Sequence, residues 1–315
     1  MAKEVKKPAK KVAAGTGRVR KLSRKQARGK AKKEVKTRKP LPGSFRLTGR
    51  VIKFLAANWK PLGGIVLVYL ILNVVFASGI SNISSTFSTI KSDLNSAGGH
   101  NFWQAAGGFG SLVASSGASG SATGSTLQSV LFVVESLVII WALRHLMAGQ
   151  GISVKLAYYK SMTPLIPFLL VIAVIIIQLL PVTVGSLVLA TVATSVFTSS
   201  SVATIASIIA FILLAAWSLY MVSASVFGLY IVTLPETQPR QALRAARDLI
   251  SFRRLAVLRR VFFLPIFVLL SMAVVIVPLI LWASFIVPYV FYVLAMLAIL
   301  FIHAYFYSLY RSLLE

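Results

Sequence analysis

Beyond Pro61 the chain is organised as long apolar blocks separated by short polar ones. Six blocks are long enough for a helix to cross a bilayer, which takes about 20 residues. They are Leu62–Ile80, Val130–Met147, Leu165–Val188, Val202–Leu234, Val261–Ala283 and Phe285–Tyr307. Each is apolar on every side of its helix rather than along one stripe. A soluble core helix keeps a polar face, so the blocks read as membrane crossings. The fourth is too long for a straight span and should tilt or project beyond the bilayer. The third contains Pro181, and the following Val182–Val196 reads either as an extension of that helix or as a re-entrant segment. Pro167, Pro181, Pro265, Pro278 and Pro288 should kink or start helices.

Amphipathic segments precede these blocks in a weak threefold repeat: Ser44–Lys60, Ser153–Thr163 and Pro239–Arg260. Each leads into one outward and one inward helix, so the layout is three hairpins. In the first segment Phe45, Leu47, Val51, Phe54 and Leu55 recur near helical spacing, with Arg46, Arg50 and Lys53 between them. Trp59 and Lys60 close it in the manner of an interfacial anchor, so a helix lying on the membrane is expected. In the third, Arg240, Arg244, Arg247 and Arg254 fall on one face, and Leu243, Ala246, Leu249 and Ile250 on another. Pro239 suits a first helical turn. The fold class that follows is all-α, a polytopic transmembrane bundle of about six helices.

Charge orients the bundle. Residues 1–60 hold 21 of the 33 Lys and Arg, with only Glu4 and Glu34 as acids. Residues 1–43 are too basic and too poor in apolar side chains to offset their ordering entropy, so a disordered tail is expected there. The tail, the 148–163 and 235–260 loops and Arg311 all belong to one side; the opposite side carries only Lys91. The positive-inside rule then makes both termini cytoplasmic in a plasma (inner) membrane protein. No apolar stretch in the first 30 residues suits a cleavable signal peptide, so the first span should act as an uncleaved anchor. The implied domains are a tail at 1–43, a juxtamembrane helix at 44–60 and a membrane domain at 61–315. The membrane domain includes a Gly/Ser-rich external loop at 81–127, where Phe102, Trp103 and Phe109 suit the outer interface.

Composition narrows the chemistry. The hydrophobic fraction is 57%, the charged fraction 13%, and there is no Cys. Thiol catalysis, disulfides and Cys-held metals are thereby excluded. His100, His145 and His303 show no ligand spacing. No nucleophile elbow, phosphate loop or pair of carboxylates occurs, so an enzyme is not expected, nor a cofactor. Glu135 is the one acid inside an expected span, and such a group is a functional candidate by default. It would relay a proton or bind a cation, or else sit neutral or paired with a backbone carbonyl or with Gln178. Counting along the helices puts Glu135 roughly 8 Å below the outer end of its span, and His303 on the order of 20 Å deeper. Direct contact between the two is therefore not expected. Asn73 and Gln178 are mid-span amides of the kind that join helices.

The basic surface is the second candidate. In the tail, Lys10, Lys11, Arg18, Arg20, Lys21, Arg24, Lys25 and Arg28 would meet a polyanion. Arg240, Arg244, Arg247 and Arg254 would do so at the third amphipathic segment. Anionic lipid headgroups attract such residues at about 1 kcal/mol each near the surface. Nucleic acid or a ribosome would attract the tail through counterion release. A topology signal alone is a third reading. No aromatic residue is interleaved in 1–43 to stack on bases, which disfavours specific single-strand readout.

The run Pro239-x-x-Ala242-Leu243-x-x-Ala246-x-x-Leu249, followed by Phe252-Arg253-Arg254 and a membrane helix, resembles a group of bacterial membrane proteins. These are the YciC-like proteins, related uncharacterised families, and the membrane domain beside some glycerophosphodiester phosphodiesterases. The layout is similar over residues 44–310, with Ala246 where the group commonly has Ser. The resemblance implies a membrane architecture and no catalytic domain. Three functions are expected from all this: envelope organisation or membrane tethering through the basic tail; a small transporter or channel component built on Glu135; or a membrane tether for nucleic acid or ribosomes.

Overall fold

The computed structural model describes residues 41–77, 122–196, 200–234, 237–251, 253–283 and 285–315. Among them the chain is all-helical, with nine helices. These are α1 (Ser44–Ala57), α2 (Trp59–Ala77), α3 (Ala122–Met147), α4 (Val154–Ser161) and α5 (Leu165–Val196), then α6 (Ser200–Val232), α7 (Pro239–Ile250), α8 (Arg254–Trp282) and α9 (Val287–Leu314). Six of them, α2, α3, α5, α6, α8 and α9, are long and apolar enough to cross a membrane. The basic tail and most of the 81–127 loop lie outside the described residues.

Helix α9 is the central pillar. It packs against α1, α2, α3, α6 and α8, and Phe291, Ala295, Leu300, Ala304 and Ser308 are buried along its length. Beside it α3 is enclosed from Leu137 through Leu143, where only Trp141 is less than fully buried. Helices α5 and α6 pack chiefly on each other and turn long apolar faces outward, including Ile176, Ile177, Ile212 and Leu213. The stretch after Pro181 continues α5 as helix, which resolves the two readings of Val182–Val196 in favour of an extension. At 32 and 33 residues, α5 and α6 each reach about 50 Å, well beyond the roughly 30 Å apolar core of a bilayer.

The short helices α1, α4 and α7 gather at one end of the bundle, here termed the basic side. Each is amphipathic for a local reason. In α7, Pro239 sits in the first turn and Ala242, Ala246 and Ile250 repeat every four residues along the buried stripe. Gly228 of α6 lets α7 approach, because a Cβ there would lie 3.1 Å from Leu243 Cδ2. Helix α4 starts at Ser153, whose hydroxyl accepts from the Leu156 amide at 3.4 Å. It packs on α3 and α2, where a Cβ at Gly64 would meet Val154 Cγ2 at 2.8 Å. Helix α1 buries Leu47, Thr48 and Val51 and packs on α9, so part of its apolar face is covered by protein. Just past the end of α3, Gly149 turns the chain with φ +77°, and the Gln150 amide donates to the His145 carbonyl at 2.9 Å.

Several boundaries differ from the sequence expectation: α2 already begins at Trp59, so Trp59 and Lys60 open the membrane helix rather than close α1, and α3 begins at Ala122, ahead of Val130. The segment expected as one amphipathic helix over Pro239–Arg260 is divided, with α7 ending at Ile250 and α8 starting at Arg254. The membrane helix thus begins ahead of Val261. It can do so because Arg260 is satisfied by protein: it donates to the carbonyls of Leu41, Pro42 and Ala256. Helix α9 in turn runs past Tyr307 to Leu314. Arginines that mark topology in the sequence also cap helices. Arg144 donates to the Thr233 carbonyl at 2.8 Å and to its hydroxyl, at the end of α6. Arg311 donates to the Met147 carbonyl at 3.0 Å, at the end of α3.

Candidate functional site

Glu135 and Ser136 are neighbours on α3 and enter two separate polar networks. Ser136 belongs to a closed one. Its hydroxyl donates to the Phe132 carbonyl at 2.7 Å and lies 3.1 Å from His303 Nε2. His303 Nδ1 is 3.2 Å from the Tyr230 hydroxyl. One neutral tautomer satisfies the whole chain: Tyr230 donates to Nδ1, Nε2–H donates to Ser136, and Ser136 donates to Phe132. With its proton committed to a backbone carbonyl and no carboxylate behind the imidazole, Ser136 has no nucleophile geometry. This network ties α3, α6 and α9 together.

Glu135 belongs to an open network. Its side chain is 1% exposed, and Oε2 accepts from the Tyr158 hydroxyl of α4 at 2.7 Å. The same hydroxyl is 3.2 Å from the Ile65 carbonyl of α2. Tyr69 faces Asn73, Glu135 and Tyr292. Three polar atoms here have no hydrogen-bond partner among the described residues: Glu135 Oε1, Asn73 Oδ1 and the Tyr292 hydroxyl. Burial pushes the Tyr158 hydroxyl far above the usual phenol range, and the neighbouring Glu135 adds to this. Tyr158 is therefore a hydroxyl donor and not a phenolate. It also lines a cavity of about 850 Å³ with Ser153, Lys155, Leu156, Tyr159 and Met162.

The sequence placed these residues differently. Glu135 is twelve residues from the end of α3 and His303 eleven from the end of α9, both counted on the basic side. They stand at one level, and His303 meets the residue next to Glu135. The depth count failed because α3 begins ahead of Val130 and α9 runs past Tyr307. Gln178 does not meet Glu135. It joins α5 to α6 instead, accepting from Ser225 at its Oε1 (2.8 Å) and from Ser218 at its backbone carbonyl (2.7 Å). The Asn73 amide donates to Tyr69 of its own helix at 2.9 Å rather than across helices. Tyr158 was missed altogether. An aromatic on a short surface helix looks like an interfacial anchor, and nothing in its spacing points to an acid 23 residues earlier.

A second candidate lies between α5, α6, α7 and the start of α8. Arg240, Arg244, Arg247 and Arg254 line one cavity of about 460 Å³, with Gln178, Trp217, Tyr220 and Ser225 among its other walls. Arg254 enters from α8 rather than from the helix that carries the other three. Its guanidinium lies 4.9 Å from the centre of the Tyr220 ring and donates to the Tyr220 hydroxyl. Among the described residues no carboxylate lines this cavity. The tail residues Lys10, Lys11, Arg18, Arg20, Lys21, Arg24, Lys25 and Arg28 lie outside the described residues. Among the described residues no three His, Cys, Asp or Glu side chains converge as metal ligands.

These features define a multi-pass α-helical membrane protein. Compared with known proteins, the chain matches no family model, no curated protein and no solved structure.

Proposed function

We propose that this is a non-enzymatic protein of the bacterial inner membrane, with both termini cytoplasmic, that grips anionic phospholipid at its basic surface and so tethers or organises the envelope. The cavity lined by four arginines and, among the described residues, by no acid carries this reading. Four cations converge where a headgroup phosphate would sit, and arginine forks suit phosphate geometry. Tyr220, Ser225 and Gln178 add hydroxyl and amide groups to the same cavity, and the exposed Trp217 and Met221 offer surface to acyl chains. The resemblance of the α7 motif to YciC-like membrane proteins is consistent with a membrane role of this kind. The tail would add a second, longer-reaching grip on lipid or nucleic acid.

The test uses the full chain with Arg240, Arg244 and Arg247 all replaced by Ala. At about 1 kcal/mol per arginine, retention of phosphatidylglycerol through delipidation should weaken about a hundredfold relative to phosphatidylcholine. Unchanged retention by native mass spectrometry would remove the reading.

A second reading, a small transporter or channel component built on Glu135, is favoured by one observation. The carboxyl is enclosed by protein and does not face lipid.

A further inference from the structure

The Glu135 network is short of donors and has no cation to neutralise it. The titratable groups that face it are Tyr69 of α2 and Tyr158 of α4, and Tyr292 of α9 faces Tyr69 in turn. On the other flank of α3, His303 of α9 is engaged by Ser136 and Tyr230. Helix α5 carries no titratable residue. No Lys, Arg or His pairs with the Glu135 carboxylate among the described residues. A permanently ionised carboxylate enclosed this way carries a large desolvation cost. A neutral carboxyl in the same place needs a partner for its O–H as well, and the Tyr158 hydroxyl can serve either form.

We propose that Glu135 is a proton-exchange site, loaded and unloaded through the Tyr158 hydroxyl from the basic side of the membrane. The hydrogen-bond geometry accommodates both states of the carboxyl. Tyr158 has one proton and two acceptors within reach, Glu135 Oε2 at 2.7 Å and the Ile65 carbonyl at 3.2 Å. With Glu135 ionised, Tyr158 donates to Oε2. With Glu135 protonated, Oε2–H donates to the Tyr158 oxygen, and Tyr158 turns its own proton to Ile65. No backbone shift is needed between the two.

The transfer balances at each atom. A hydronium ion in the cavity beside Tyr158 gives its proton to the phenolic oxygen. The original Tyr158 O–H bond breaks as the proton passes to Oε2, where a new O–H bond forms, and water is left behind. Unloading is the reverse. Tyr158 is suited to this because its hydroxyl meets the buried acid and its side chain is among those that line the cavity, with Lys155 and Ser153. Glu135 Oε1 has no hydrogen-bond partner among the described residues and can accept one in either state of the carboxyl. The site stands whether or not the protein moves a solute, and equally if the arginine-lined cavity holds no lipid.

The experiment is infrared pH-difference spectroscopy on the full chain in nanodiscs. The chain has only seven Asp and Glu, and Glu135 is the one within a candidate span, so the carboxyl region is sparse. The wild type should show a protonated-carboxyl band that rises and falls reversibly with pH and is missing in Glu135→Gln. Tyr158→Phe, which keeps the acid and the ring, should leave the band but slow its hydrogen–deuterium exchange about a hundredfold. A merely structural tyrosine would not affect that rate selectively. The proposal is overturned if no band assignable to Glu135 changes with pH, or if Tyr158→Phe exchanges as fast as the wild type. It is also overturned if the band responds to Na⁺ and not to choline at constant pH, which would make this a metal-cation site. If Glu135→Gln does not fold, the exchange rate in Tyr158→Phe decides alone.

Discussion

Helices α3 and α9 on one hand, and α5 and α6 on the other, are equally good membrane spans and opposite kinds of structure. The span in α5 has the highest mean hydropathy of the four, 2.9, yet only 11% of it is buried within the protein. That in α3 has a mean hydropathy of 2.0 and is 50% buried. For α9 and α6 the hydropathies are 2.1 and 2.0, with 44% and 17% buried. In water the greasiest helix goes inside. In a bilayer lipid tails are as apolar as leucine, so hydrophobicity gives a helix no reason to prefer protein over lipid. What recruits α3 and α9 to the interior is their polar content, Glu135, Ser136, His303 and Tyr292, which must find partners away from hydrocarbon. Helices α5 and α6 hold each other by small-residue contact and by the Gln178 bonds to Ser218 and Ser225.

The contrast can be broken most sharply by matched truncations. Phe291→Ala, fully buried on α9, should cost about 3–5 kcal/mol through lost contacts and a cavity. Ile177→Ala on α5, 62% exposed, should stay within about 0.5 kcal/mol. Reversible unfolding in mixed micelles measures both, and equal costs would mean that α5 is covered by something other than lipid.

An intermediate effect is expected at Gly64. Its Cβ would meet Val154 at 2.8 Å, so Gly64→Ala overpacks the seat of α4 at a cost of about 1–3 kcal/mol. It should also move Tyr158 away from Glu135, seen as faster hydrogen exchange in α4 while α7 is unchanged. The smallest effect is expected in the outer hairpin. Ser225→Ala removes one interhelical bond to Gln178, for about 0.6 kcal/mol, the usual size of such bonds between membrane helices. A much larger loss there would show that the hairpin depends on its polar contacts rather than on packing.

The spans themselves were legible because a crossing helix needs only length and apolarity, both local properties. All six expected blocks overlap the observed spans, and the long fourth block is α6. The three amphipathic segments were legible too, through the alternation of Arg with apolar residues in α1 and α7, although Trp59 and Lys60 open α2 rather than close α1. The errors arose where a charge is neutralised from afar. Arg260 reads as a loop residue by type, but three carbonyls, two of them from Leu41 and Pro42, hold it inside the bundle. The relative depths of Glu135 and His303 came out wrong for a separate reason, because α3 begins ahead of Val130 and α9 runs past Tyr307.

From composition and periodicity alone came the class of protein, its spans, the threefold hairpin layout and Glu135 as the exceptional acid. Each rests on one helix at a time, where residue type and a rise of about 1.5 Å per residue suffice. Which helices lie inside, that Glu135 meets Tyr158 and not Gln178, and that Arg254 crosses from α8 to join the arginines of α7 were decided only by packing. These depend on side chains from separate helices sharing one place, and helix–helix association in lipid is set by shape and polar pairing that a linear pattern does not encode.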